Sequence, residues 1–310
     1  MSAASTTVTS ARALELRPHE PAVAEFEPTR ALPVAGESLE VGTVLRRGLR
    51  LFAAAVVAFV VFALWLSGLA QARSQVGLQR RFRAELASAQ APVGGAIPAG
   101  APVAIVEIPR LHLHEAVVEG ARSGELREGP GHVVGTPLPG QPGNAVVAGR
   151  HTMYGGPFRD LSALRPRDGI DITTGQGRAT YRVVGVAHLA SSDGSFVQDH
   201  SDNRLTLFTS ASRWTASSRL VVSAILVGDP FAATALRRTL DPEGLGLTGE
   251  RGAASYTLVW LELLAVAALT AAFAATRWST MTTWVVCTPV LAFALWLFFE
   301  NAARLLPATL

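Results

Sequence analysis

Residues 204–228 read RLTLFTSASRWTASSRLVVSAILVG. Two runs rich in Leu, Val, Ile, Thr and Phe, 204–210 and 219–228, flank a stretch of small and polar residues, and such runs favour a half-buried pleated surface. Paired antiparallel, they set Ser210 and Arg219 together at one rim of a sheet. The same grammar extends backwards through VAIVEI (103–108), AVVE (116–119), NAVVAGR (144–150), GIDITT (169–174) and ATYRVVGVAHL (179–189), each bounded by Gly, Pro, Asn or Asp. Short helices are expected only near Ser123 to Leu126 and Phe158 to Leu164. Seven closely spaced strands with so little helix predict an all-β domain over 103–228, a closed or nearly closed antiparallel barrel.

The rest of the chain belongs to another solvent. Of 310 residues, 49% are hydrophobic and only 16% charged, against about 25% charged in ordinary soluble domains. Leu51 to Leu69 (LFAAAVVAFVVFALWLSGL) carries no charge and is long enough to cross the ~30 Å hydrocarbon layer as a helix. Because a long polar segment precedes it, it is predicted to anchor the chain rather than serve as a cleaved leader. Tyr256 to Ala275 and Met281 to Phe299 are two more spans, joined by the short turn Thr276 to Thr280, as in a helical hairpin. Glu262 is close enough to an interface to snorkel, Pro289 would kink the last span, and Cys287 packs within it.

The predicted organisation is therefore a disordered cytoplasmic tail (1–45), a first transmembrane helix (46–72), a stalk and linker (73–102), the barrel (103–228), a linker (229–255), and transmembrane helices at 256–275 and 281–299. In the stalk, Leu78, Phe82 and Leu86 recur on one helical face. Arginines flank the first span on both sides, which permits a multi-pass chain in the cell membrane with the barrel outside the cytoplasm. The cations are all Arg, and a formal net charge of +3 leaves no basic stripe for nucleic acid. A single cysteine excludes an internal disulfide and a multi-thiolate zinc site. No cofactor is expected: His112 and His114 lack completing ligands, and Asp193, Asp199 and Asp202 lack the spacing of a Ca²⁺ loop. His132, His188 and His200 read as turn or isolated residues.

The strings EIPRLHLHEAVVEG, GPGHVVGTPLPGQPGNAVVAGRHTMYGGPFRDL and RLTLFTSASRWTASSRLVV resemble the sortases, membrane-anchored transpeptidases of Gram-positive bacteria, and among them the actinobacterial, class E-like group. The resemblance spans roughly 103–228. It implies an eight-stranded barrel, a Cys nucleophile ending a TLxTC strand, a His after Ala-Gly, and an Arg opening the next strand. It also implies cleavage of an LPxTG-like or LAxTG-like sorting signal and transfer of the acyl group to a cell-wall amine. In this chain TLxTC is Thr206, Leu207, Phe208, Thr209, Ser210, and Ala-Gly-His is Ala148, Gly149, Arg150, with a histidine displaced to His151. Arg219 stands where the resemblance places its Arg.

Both departures remove chemistry. A Ser hydroxyl is a weak nucleophile unless a base takes its proton, and a guanidinium stays protonated, so Arg150 is no such base. On a continuous strand His151 would face away from Ser210, unless a bulge at Gly149 turned it back. The expectation is a degenerate transpeptidase site, built of Ser210, Arg219, Arg150 and His151, that binds sorting-signal-like peptides or an envelope partner. The alternative is an active transpeptidase or hydrolase using Ser210 with His151 and Arg219. A third expectation, of another class, is a structural ectodomain assembled through the helical hairpin.

Overall fold

The computed structural model describes residues 41–199, 201–212, 217–234, 239–240, 245 and 252–310; most of the expected N-terminal tail, and His200, lie outside them. The chain divides into two units, residues 1–49 and 50–310. Of the first, residues 41–49 are described and open a helix, α1 (Val41–Val61). Within the second, α1 passes through one π-helical turn, Phe62–Leu66, into α2 (Ser67–Ala87). Eight strands follow: β1 (Pro102–Ile108), β2 (Leu113–Glu119), β3 (Gly131–His132), β4 (Asn144–Ala148), β5 (Gly169–Thr174), β6 (Gly177–Ala190), β7 (Arg204–Ser210) and β8 (Ser218–Val227). The chain ends in two helices, α3 (Ala253–Arg277) and α4 (Thr280–Ala303), and a short segment beyond them.

The strands close into a barrel in the order β1-β2-β3-β4-β7-β8-β6-β5. Its core consists of inward-facing residues such as Val106, Val147, Ile172, Tyr181, Leu207 and Val222. The expectation of a wholly antiparallel barrel needs correction, because β2 pairs with β3, and β4 with β7, in parallel. Parallel neighbours need a crossover, and the β5–β6 hairpin supplies it between β4 and β7. β3, two residues long, is too short to carry a periodic signal in the sequence. The pair at 204–228 is as read: β7 and β8 are antiparallel, with Ser210 opposite Arg219.

Strands β4 and β7 are buried almost throughout, and their period of two explains why. Ala145, Val147, Leu205 and Leu207 face the barrel core. Val146, Ala148 and Phe208 face a second cluster with Leu126, Phe196, Val197 and Ala308. Both faces of these strands are thus covered.

Helix α2 lies along β2 rather than standing clear of the barrel. Leu78 packs on Ala116 and Val118, and Phe82 is fully buried. Beyond its two-residue pairing with β3, β2 would present bare backbone at an edge, and Gln75 covers it. The Gln75 Nε2 donates to the carbonyls of Ala116 (3.1 Å) and Glu128 (2.8 Å), while its Oε1 accepts from the Ala116 amide at 2.8 Å. One side chain does there what a neighbouring strand would do. One turn earlier, Gln71 donates to Glu115 at 3.0 Å, and one turn later Gln79 donates to the His114 carbonyl.

Three helices are long and apolar enough to cross a membrane: Ala53–Ala87, Ala253–Arg277 and Met281–Ala303. Pro289 lies inside α4 and Cys287 is a half-buried free thiol. The first and last of these helices meet beside the barrel, where Phe59, Phe62, Trp296 and Phe299 interlock, with ring centroids 5.1–5.7 Å apart between helices. Ser67 joins helix to barrel: its hydroxyl donates to the Ala63 carbonyl at 2.7 Å and accepts from the Tyr154 amide at 2.9 Å. Gly68 lies beside Gly155, where a Cβ would make ordinary contact at 3.4 Å.

Candidate active site

The ends of β4 and β7 and the start of β8 converge at one rim. Residues 206, 208 and 210 share a face, as do 146 and 148, and 219 and 221. Ser210 and Arg219 therefore leave the sheet on the side of Phe196 and Phe208, not toward the barrel core. Ser210 is buried, and its hydroxyl donates to the Ser212 carbonyl at 3.0 Å while lying 3.4 Å from the Ser212 amide that donates back. The hydroxyl proton is thus directed to a backbone carbonyl within the same turn.

Arg219 is also buried. Its guanidinium stacks on Phe196 and Phe208, at 4.8 and 5.6 Å from the ring centroids, and donates to the carbonyls of Asp193 (3.4 Å) and Leu245 (3.0 Å). Burial lowers its pKa to about 10, against a smaller raising effect of Asp193, so it is a cation at neutral pH. Its register is the one expected, but its donors go to loop carbonyls that no sequence pattern signals.

β4 stops at Ala148. Gly149 continues the pairing by donating its amide to the Phe208 carbonyl at 3.1 Å. A glycine is required there because any Cβ would fall 2.3 Å from the Phe158 ring. Beyond it the chain turns off, so Arg150 and His151 do not lie on a strand and the alternation argument does not govern them. Arg150 is fully buried. Its Nη2 donates to the carbonyl (3.0 Å) and hydroxyl (2.9 Å) of Ser123, its Nε reaches the Leu126 carbonyl at 3.3 Å, and it lies 4.9 Å over the Tyr154 ring. Desolvation lowers its pKa to about 10; it stays charged at neutral pH and takes no proton from Ser210.

Tyr154 carries the network onward. Its hydroxyl donates to Glu300 of α4 at 3.4 Å, and Arg127 pairs with the same carboxylate oxygen at 2.8 Å. Burial and the Glu300 charge raise the Tyr154 pKa to about 12, keeping it a donor. Arg150 is thus joined through Tyr154 to a helix some 150 positions away in sequence, a connection with no local sequence signal.

His151 is half-buried, and its backbone amide donates to the Thr309 carbonyl at 3.0 Å. The next two amides, of Thr152 and Met153, donate to the Leu310 carbonyl at 3.1 and 3.2 Å. The Thr209 hydroxyl, one residue before Ser210, also reaches the Thr309 carbonyl, at 3.5 Å. The segment that follows α4 is therefore seated on the rim formed by β7 and residues 151–153.

A second polar cluster lies on the opposite side of β3. His132 Nδ1 is 2.8 Å from Glu119 Oε2, and its Nε2 is 2.9 Å from the Pro137 carbonyl. Facing a carbonyl, Nε2 donates to it, and Nδ1 shares one buried hydrogen bond with the Glu119 carboxyl group. The sequence signalled no more for His132 than a turn. His112 has left-handed backbone (φ 53) and precedes β2, so it does not share a strand face with His114 as spacing suggested. His188 is exposed on β6. Asp193 caps Ser195, Asp199 accepts from the Asn144 amide, and Asp202 pairs with Arg204. Among the described residues no three His, Cys, Asp or Glu side chains group as a metal site.

Residues 106–227 match the family model of the sortase domain. Sortase A of Bacillus anthracis is 29% identical over 124 residues, which cover 40% of this chain and 59% of that protein. Among solved structures, sortase E of Streptomyces avermitilis is 31% identical, covering 43% of this chain and 91% of its own, with a TM-score of 0.39. A Clostridium perfringens sortase D5 transpeptidase is 24% identical, covering 51% and 98%, with a TM-score of 0.44. The segment matched by that family model is the closed eight-stranded barrel. The family match and the Sortase A relative support the sortase family for this segment, set beside three helices fit to cross a membrane.

Proposed function

We propose that this chain is a multi-pass membrane protein carrying an extracytoplasmic, sortase-type barrel whose transpeptidase site has lost its chemistry and retains peptide binding. The substrate class is an LPxTG-like or LAxTG-like sorting signal, or an envelope protein bearing one. The observation that carries the proposal is the use made of the two substituted positions. The Ser210 hydroxyl is turned onto the Ser212 carbonyl, and Arg150 is buried among the carbonyls of Ser123 and Leu126. A serine nucleophile needs a base within hydrogen-bond reach, and a caged guanidinium supplies none. What remains is a rim with backbone amides at 151–153, the Thr209 hydroxyl and the apolar surface of Ala148, Phe208 and Val221, the components that hold a peptide by its main chain.

The test is turnover of LPxTG-type and LAxTG-type peptides with an amine acceptor, by the full chain and by Arg150→His combined with Ser210→Cys. Silence from the natural chain, with peptide bound, and turnover by the double variant are expected. Turnover by the natural chain that disappears in Ser210→Ala would overturn the proposal in favour of an active site using Ser210, His151 and Arg219.

A further inference from the structure

The rim is already occupied by the chain itself. Helix α4 ends at Ala303, and the chain folds back so that Ala308 is fully buried and Thr309 and Leu310 are 3% and 7% exposed. Pro307 to Leu310 form a tight turn, closed by the Leu310 amide on the Pro307 carbonyl at 3.1 Å. Ala308 packs in the cluster of Ala148, Phe208 and Val221, and three consecutive amides, 151–153, together with Thr209 all point at carbonyls of residues 309 and 310. Two features separate this seating from ordinary core packing. The hydrogen bonds that the rim makes to it go to the segment's main chain. Beside it Leu306 and Leu310 line an apolar cavity of about 230 Å³ with Phe59, Ala63, Thr152 and Met153, so the segment is held without filling the space around it.

The substituted position takes part in the arrangement. Arg150 stacks on Tyr154, and Tyr154 and Arg127 both bind Glu300, three residues before the end of α4. The network therefore fixes the point from which the segment departs. Residues 306–309 read Leu-Pro-Ala-Thr, the opening of the LPxT type of peptide.

We infer that residues 306–310 are an intramolecular ligand of the rim, a built-in LPxT segment that holds the peptide site closed and must leave before a peptide of the same class binds in trans. This rests on the peptide-binding function proposed above. A segment tethered directly to α4 acts at an effective concentration on the order of millimolar, so if its own affinity is roughly 100 μM, removing it is expected to tighten a competing peptide about tenfold.

The experiment uses the full chain in detergent, the same chain lacking residues 306–310, and Ala308→Arg, whose side chain does not fit the buried position. Fluorescence anisotropy reads the binding of two probes, the peptide ARLLPATL and an LPxTG-type peptide from outside the chain. Tighter binding of both by the deleted and Ala308→Arg proteins, by about tenfold over the natural chain, is the expected result. If the deleted protein rebinds ARLLPATL but neither variant binds the outside peptide, the intramolecular ligand stands and sorting-signal binding falls. If the natural chain binds the outside peptide as tightly as both variants do, the inference is overturned while the peptide site stands. If neither variant binds either probe, although circular dichroism shows both folded, both readings fall.

Discussion

Replacing Arg150 with histidine restores the residue type that the sortase resemblance places there, and the structure says that this restoration destabilises the chain. The guanidinium makes three donor contacts, to the Ser123 carbonyl and hydroxyl and to the Leu126 carbonyl, and stacks on Tyr154. An imidazole is shorter and offers at most two donors, so at least one of these three buried acceptors loses its donor. Each bond from a charged donor contributes about 1.5–3 kcal/mol, and a cation stacked on an aromatic ring about 1 kcal/mol. Against this, burying a guanidinium carries a desolvation penalty that the variant avoids. The net expectation is a loss of about 3 kcal/mol. For a domain of this size, where 1 kcal/mol moves Tm by about 2–4 °C, that is a fall of roughly 6–12 °C. Ser210→Cys exchanges one weak local bond for a weaker one and is expected to shift Tm by less than about 3 °C. Tryptophan-fluorescence melting of the full chain in detergent measures both, and hydrogen exchange should show residues 121–127 losing protection in Arg150→His alone. A Tm for Arg150→His within about 2 °C of the natural chain would refute the cage argument, because it would mean that the carbonyls of Ser123 and Leu126 do not depend on this side chain.

Two further predictions concern the supports of the barrel. Burial against α2 raises the Glu115 pKa from 4.5 to about 7, against the smaller lowering effect of Gln71. The folded state thus binds this proton more tightly than the unfolded state. Its stabilising contribution is complete below pH 4.5 and is lost as pH rises through 7, by about 3 kcal/mol in all; urea unfolding against pH should show this slope in the natural chain and not in Glu115→Gln. At the buried Glu119–His132 hydrogen bond, removing one partner leaves the other unsatisfied, so Glu119→Ala or His132→Ala is expected to lose about 1–3 kcal/mol. The double variant should lose clearly less than the sum of the two, as a double-mutant cycle in urea would show.

The parts of this protein legible in its sequence are those governed by local periodicity. The apolar runs long enough to span a membrane announce themselves by length alone, and β5, β7 and β8 announce themselves by β-branched residues between turn formers. The opposition of Ser210 and Arg219 follows from the pairing of two adjacent runs. β3 was missed because two residues have no period, and the parallel β4–β7 pairing because it joins strands separated by an entire hairpin.

What the side chains of the site do was settled elsewhere. The sequence by itself determined that position 150 holds a permanent cation and position 210 a hydroxyl, and hence which proton transfers those groups cannot perform. Only the tertiary structure decided where the cation goes, into the carbonyls of Ser123 and Leu126 and onto Tyr154, and what lies over the rim, a segment that returns from beyond the last helix. Residue chemistry is carried by each side chain wherever it stands, whereas these hydrogen-bond partners lie 27 positions apart, as Arg150 and Ser123 do, or 100, as Thr209 and Thr309 do, and no local period of the sequence links them.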